Sequence, residues 1–232
     1  AERLAEPRLA EAGAAREAEA AARHRAETNF DAVRGLARTF MYEFDESIAD
    51  LRGATPAREI VLRKAREYLD VVRPGEHPSP EFLAEWADAN ERLGDLLSGN
   101  TGASVGDTAE AAERYAEAMR VRTELLAAAP MDPTAIGVYA GSLADRGAIL
   151  RLQGKRDEAL ESYGAALDEF DRAMSRAAGD GEARERLARE RARAAEDHAS
   201  LLGQIGADRE GDGEGAPLLR ESAERLGAVV GF

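Results

Sequence analysis

The sequence predicts an all-α protein, and two observations support that prediction. The 232-residue chain contains 49 alanines and 23 leucines, whereas valine, isoleucine and threonine together number only 21. Alanine, leucine, glutamate and arginine are strong helix formers, and the β-branched residues that favour strands are scarce. Apolar residues also recur at steps of three and four through most of the chain, which is the period of an amphipathic helix.

The charge balance and the residue usage exclude several kinds of function. Lysine and arginine number 31 against 45 aspartates and glutamates, a net charge of -14 that disfavours nucleic-acid binding. No stretch approaches the ~20 apolar residues that span a bilayer. The chain has no cysteine, and we expect its three widely spaced histidines, His24, His77 and His198, to lie at the surface. We therefore predict no metal, no cofactor and no membrane span.

The chain is predicted to begin with a helical arm. Residues 1–28 are almost wholly alanine, glutamate and arginine, so the helix propensity is high but the apolar face buries little area. We expect an arm or juxtamembrane linker that docks weakly or pairs with another copy. From Asn29 a pattern of large apolar residues begins, and residues 29–232 are predicted to form one helical repeat domain.

Proline and glycine divide that domain into successive helices. Phe30, Phe40 and Ile48 lie on one face of a first amphipathic helix, which ends at Gly53. Thr55-Pro56 then provides a helix start, with proline in the first turn. Further breaks predict helices over 55–72, 80–98, 108–129, 133–153, 155–178, 182–206 and 217–230.

Two of the predicted hairpins resemble each other in sequence. Residues 106–130 align beneath 154–178 at a spacing of 48, and the helices before them match around Gly94 and Gly147. Self-similarity of this kind indicates a solenoid of stacked repeats. The aligned pairs are Gly106 with Gly154, Glu110 with Glu158, Ala111 with Ala159, Tyr115 with Tyr163, and Ala118 with Ala166.

The second copy resembles the tetratricopeptide pattern. Its large, small and aromatic positions are occupied by Leu143, Gly147, Leu150, Ala159, Tyr163 and Ala166. The first copy departs from the pattern at Asn90, and both are longer than the usual ~34-residue period. This resemblance implies a right-handed superhelix of about four antiparallel helical hairpins, in which Gly147 and Ala159 allow close helix approach and Tyr163 fills the gap against the next repeat.

A second resemblance covers roughly residues 16–170. The segment 33–70, followed by ANERLGDLL and the GDTAEA helix, is similar to the tetratricopeptide-bearing C-terminal region of bacterial serine/threonine protein kinases. In that family a kinase domain and often one membrane-spanning helix precede this region. The resemblance implies a bacterial, soluble regulatory or docking region of a membrane-anchored protein, on either the cytoplasmic or the extracytoplasmic side.

The chain itself carries no kinase motif, and we do not expect it to be an enzyme. It has no glycine-rich loop after a strand, no His-Arg-Asp catalytic loop and no Asp-Phe-Gly sequence. A protein–protein interaction module is the leading hypothesis for its function. The alternatives are a structural homodimerisation unit that pairs through residues 1–28, and a helical domain that senses a small ligand between hairpins.

The first helices of the two clear hairpins supply the candidate binding surface. In a solenoid these helices line the concave groove. An acidic groove favours basic or apolar peptides as partners, and it lacks the lysine and asparagine of the clamp that holds a peptide's C-terminal carboxylate. The predicted groove residues are Asp88, Glu91, Asp95, Ala144, Ala148 and Arg151.

Overall fold

The part of the chain that the structure describes is entirely helical in its regular elements. This computed structural model describes residues 55–72, 74, 78–98, 107–208, 217, 220–222 and 224, together with residue 35. The chain divides into two compact units, residues 1–48 and 49–232. Nearly all the described residues belong to the second unit, and they confirm the all-α prediction. The arm predicted over 1–28 and most of the helix predicted from Asn29 lie outside the described residues.

The described residues of the second unit include six helices that follow one another along the chain. Their ends agree with the predicted boundaries to within about two residues, because caps and helix breakers are local signals. Residues 217, 220–222 and 224 are helical as well, within the segment 217–230 for which a helix was predicted. The six helices are α1 (Thr55–Val71), α2 (Pro80–Ser98), α3 (Thr108–Ala128), α4 (Pro133–Leu152), α5 (Arg156–Arg176) and α6 (Gly181–Asp208).

Side-chain caps set two of the helix starts. Asp107 accepts a hydrogen bond from the Glu110 backbone N–H at 3.0 Å before α3. Asp132 accepts one from the Thr134 N–H at 3.0 Å before α4, where proline occupies the first turn. Each bond satisfies a backbone donor that the first turn leaves without a partner. Between α4 and α5 the chain turns at Gly154, whose φ of 77° suits glycine.

Consecutive helices pack against each other, and α2 with α3 forms an antiparallel hairpin. Tyr115 near the middle of α3 bonds to Asp95 late in α2. Arg122, further along α3, bonds to Asp88, earlier in α2. Partners therefore run in opposite directions along the two helices. Helices α4 and α5 form a second hairpin, joined by the short turn at Gly154.

Glycine permits the close helix approach that the sequence predicted. A Cβ atom added to Gly147 would lie 2.9 Å from the ring of Tyr163 on α5. A Cβ atom on Gly94 would lie at the same distance, 2.9 Å, from the ring of Tyr115 on α3. Both contacts are too short for any larger residue without displacement of an aromatic ring. The glycine–tyrosine pair is thus a shared steric feature of the two hairpins.

The second hairpin and α6 share an apolar core that consists of two clusters. One cluster contains Ile136, Leu143 and Phe170 together with Leu187 of α6. Another joins Tyr163 to Leu150, Ala159, Leu201 and Ile205, so the tyrosine packs against the following helix as predicted. None of the described helices is long and apolar enough to cross a membrane.

The surface position predicted for His198 is wrong. His198 is buried on α6, with its ring centroid 6.4 Å from that of Tyr163. The reason is its place in the helical period, because Ala194, Leu201 and Ile205 lie on the same buried face. The other two histidines lie outside the described residues.

Candidate functional site

The predicted groove residues of α2 are held by partners from two other helices. Asp88 keeps a half-exposed side chain (53%) and forms an ion pair with Arg122 of α3. The Arg122 side chain is only 6% exposed, so this cation is buried between the two helices. Arg122 also contacts Glu91, with 3.3 Å between Nη2 and Oε2. Sequence reasoning did not include Arg122, which belongs to a second helix of a hairpin.

Glu91 is a mostly buried carboxylate at the junction of α2, α3 and α4. Its side chain is 17% exposed, and its Oε1 accepts a hydrogen bond from the hydroxyl of Ser142 on α4. Burial raises the pKa of Glu91, while Arg122 and the Ser142 bond oppose that rise. A negative charge here is therefore costly unless a cation or donor stays close.

Asp95 and Asp145 bring two further carboxylates to this junction. The Tyr115 hydroxyl donates a hydrogen bond to Asp95, and burial together with Asp95 raises the pKa of that tyrosine. Burial and the neighbouring carboxylates Asp95 and Glu91 raise the pKa of Asp145 on α4 to about 8. At neutral pH Asp145 is thus largely protonated.

Helix α6 extends the acidic surface by one more residue. Burial raises the pKa of Asp197, while the guanidinium groups of Arg151 and Arg193 oppose the rise. Asp197 also interacts electrostatically with Asp145. Arg151, a predicted groove residue of α4, therefore lies beside α6 and interacts with Tyr163 as well. We call Glu91, Asp95, Asp145 and Asp197 the acidic cluster.

The two predicted alanines lie against the core. Ala144 packs against both apolar clusters of the second hairpin, and Ala148 packs against the cluster around Tyr163. Both side chains are partly buried. Ala144 and Ala148 flank Asp145 along α4.

The structure thus brings together residues from α2, α4 and α6, which are alternate helices of the series. The sequence pattern pointed to Glu91 and Asp95 but missed Asp145 and Asp197. Asp145 is next to the predicted Ala144. Had the groove positions of α4 been assigned one residue further along the helix, they would have included Asp145. Asp197 lies beyond the region of repeat similarity, where no sequence signal aligned α6 with α2 and α4.

The acidic cluster does not have the geometry of a metal centre. Among the described residues, no group of three or more histidine, aspartate and glutamate side chains is arranged to hold a metal ion. The four carboxylates have arginines close by. A cation from outside the chain can therefore replace a bound proton or a neighbouring arginine at one of these carboxylates.

Comparisons with known proteins do not name a family for this chain. No known protein family matches the sequence, and no curated protein matches it. Among solved structures, the chain matches the crystal structure of BtubC (BKLC) from P. vanneervenii, with 16% sequence identity and a TM-score of 0.42. The match covers 86% of this chain and 89% of that chain. At this level of similarity no property of BtubC is transferred to the present protein.

Proposed function

We propose that this chain is a non-catalytic protein–protein interaction module with tetratricopeptide-like repeats, which binds a basic segment of a partner protein. The observation that carries the proposal is the acidic cluster, assembled from α2, α4 and α6. Attachment to a bacterial serine/threonine protein kinase, as its regulatory or docking region, is the further part of the proposal. It is supported by the resemblance of residues 33–70 and of the repeats.

The electrostatics of the cluster explain how a basic partner would be bound. Asp145 holds a proton near neutral pH because its ionised form is destabilised by burial and by Asp95 and Glu91. A lysine or arginine side chain placed beside it would favour the ionised form and displace that proton. Binding should therefore strengthen as the pH rises through about 8, the pKa of Asp145, and weaken with added salt.

The test compares basic and acidic peptide pools on the intact chain. Fluorescently labelled pools rich in lysine and arginine should bind, and pools rich in aspartate and glutamate should not. The double variant Asp145→Asn/Asp197→Asn should weaken binding of the basic pool by about tenfold or more, which corresponds to about 1.4 kcal/mol. Fluorescence anisotropy measures both comparisons.

The matched control is Asp168→Asn on α5. Asp168 is an exposed aspartate that takes part in none of the contacts of the acidic cluster, and its variant should bind like the original chain. Equal affinity of the double variant and the control for the basic pool would reject the acidic cluster as the binding surface.

A further inference from the structure

A cavity of about 660 Å³ lies on a different part of the molecule, among α1, α2 and α3 and beside Pro74 and Pro78. Its volume is that of a typical small-molecule site. One wall is apolar and is formed by Leu69, Leu83 and Trp86, with Pro74 and Pro78 beside them. No groove residue predicted from the sequence lines this cavity.

Asn90 lines the same cavity, and its side-chain oxygen accepts no hydrogen bond from the described residues. The residue is fully buried on α2, and its Nδ2 donates to the backbone oxygen of Trp86 at 2.8 Å. That bond fixes the orientation of the amide, because the carbonyl oxygen of Trp86 accepts only from an N–H. The Asn90 Oδ1 is left with no hydrogen-bond partner among the described residues. A buried acceptor left in this state destabilises the folded chain.

The charges around the cavity have a negative excess. Among the described residues, four carboxylates and two guanidinium groups line it, and both guanidinium groups are already bonded to carboxylates. Arg114 contacts Glu110 at 3.2 Å, and Arg120 contacts Glu117 at 2.8 Å. Glu113 lines the cavity with an exposed side chain and has neither an ion pair nor a hydrogen bond within the described part of the chain. The remaining negative charge favours a cationic ligand.

Trp86 is held in place for contact with such a ligand. Its indole N–H donates to Oε1 of Glu117 at 3.2 Å, and the same carboxylate is bonded to Arg120. The ring orientation is therefore fixed before any ligand arrives. Tryptophan is the aromatic side chain that attracts a cation most strongly.

We propose that this cavity binds a small organic cation, a guanidinium or primary ammonium group on a short apolar stem. One N–H of the cation donates to Oδ1 of Asn90. The stem lies along Leu69, Leu83 and Trp86, and the negative excess at the rim balances the charge. This site is separate from the acidic cluster, and the inference does not rest on the proposed function.

Trp86 provides the readout for the experiment. It is the single tryptophan of the chain, so tryptophan fluorescence reports on this cavity alone. Butylguanidinium should change the emission and release heat on binding in isothermal titration calorimetry. Butylurea has nearly the same shape and similar donors but no charge, and it should bind at least about tenfold more weakly. Equal responses to the two compounds would overturn the proposal, as would a lack of response to both.

Two variants separate the acceptor from the rim charge. Asn90→Leu keeps the approximate volume but removes the acceptor, and it should weaken butylguanidinium binding by about tenfold or more. Glu113→Gln acts at an exposed position where folding is undisturbed, and it should weaken binding by about two- to fivefold. Circular dichroism verifies that each variant is folded. If folded Glu113→Gln bound butylguanidinium with unchanged affinity and butylurea also bound tightly, the cation site would be rejected.

Three further measurements define the ligand and keep the two proposals apart. Glu161→Gln, an exposed glutamate on α5 that does not line the cavity, should bind butylguanidinium normally. A blocked Gly-Arg-Gly peptide should bind more weakly than butylguanidinium, and tighter peptide binding would overturn the assignment of a free small cation. The Asp145→Asn/Asp197→Asn variant should retain butylguanidinium binding, so failure of either proposal is recognised independently of the other.

Discussion

The hairpins α2–α3 and α4–α5 share a steric feature but are stabilised by different chemistry. In each, a glycine on the first helix faces a tyrosine ring on the second, and an added Cβ atom would approach that ring to 2.9 Å. Seven residues beyond that tyrosine, α3 has Arg122 and α5 has Phe170, and both side chains are buried. The same position therefore holds a cation in one hairpin and an aromatic ring in the other.

The partners of these two side chains differ in a matching way. Arg122 bonds to Asp88 and Glu91, which are acidic. The positions of α4 that correspond to them, counted from Gly94 and Gly147, are Gly141 and Ala144. Ala144 packs against the cluster that contains Phe170. A buried arginine requires carboxylates because it must remain paired, whereas a buried ring requires small neighbours that leave room for it.

The largest expected effect comes from replacing the cation of the first hairpin with the ring of the second. Arg122→Phe leaves the Glu91 carboxylate buried without its cation, and we expect a loss of about 3–5 kcal/mol in the free energy of unfolding. Adding Glu91→Ala removes the unpaired carboxylate and should restore at least half of that loss. Ser142, which then no longer bonds to Glu91, still donates to the Val138 backbone oxygen at 3.3 Å. Urea denaturation measures both, and no recovery in the double variant would contradict the comparison.

Alanine substitutions of the two glycines test the glycine–tyrosine contact that the hairpins share, and their expected effect is smaller. Gly147→Ala and Gly94→Ala should each destabilise the protein by about 1–3 kcal/mol, because the ring must move despite the gain in helix propensity. Gly141→Ala is the matched control on α4, where an added Cβ meets nothing within 4 Å. That variant should gain about 0.5–1 kcal/mol. Thermal unfolding of the three variants gives the order, and stabilisation by Gly147→Ala would disprove a tight contact.

A smaller effect separates the two tyrosines. The Tyr115 hydroxyl donates to Asp95, so Tyr115→Phe should cost about 1–2 kcal/mol. The buried Tyr163 hydroxyl makes no hydrogen bond of ordinary geometry among the described residues, although the Arg151 guanidinium lies near it, so Tyr163→Phe should cost less than about 1 kcal/mol. Denaturant midpoints measure the difference, and equal losses would show that the hydroxyls play the same role in both hairpins.

The free energy of unfolding should also depend on pH. The pKa of Asp145 is raised to about 8 in the folded chain, whereas an unfolded aspartate titrates near 4. Between those values the folded state binds the extra proton, so the free energy of unfolding falls as the pH rises. The raised pKa values of Glu91 and Asp197 act in the same direction.

Removal of the Asp145 carboxylate tests that slope. Asp145→Asn should flatten the decline between pH 5 and 8 and raise the free energy of unfolding at pH 7, because asparagine cannot ionise. Asp168→Asn should leave the slope as it is in the original chain. Urea denaturation across that pH range measures the slope of the free energy of unfolding against pH. An equal slope in Asp145→Asn and the original chain would show that the Asp145 carboxylate is solvated and has no raised pKa.

The acidic cluster shows which parts of a site could be predicted from the sequence. Glu91 and Asp95 were found because they lie in the helix that aligns with the tetratricopeptide pattern. Asp197 was not found, since α6 departs from that pattern and only packing brings it beside α4. His198 carried a usable signal, because Ala194 and Leu201 place it on the buried face of α6 by helical period alone.

The all-helical class, the ends of the six described helices and the close helix approach at Gly147 could be predicted from the sequence. These depend on caps, breakers and short-range periodicity, which act over a few residues. Helix packing brings carboxylates of α2 and α6 within electrostatic reach of Asp145 on α4, and it leaves the buried Asn90 Oδ1 without a hydrogen-bond partner in the described part of the chain. Such sites depend on how residues far apart in the chain pack and lose contact with water, and burial of that kind sets the charge and hydrogen bonding of each group.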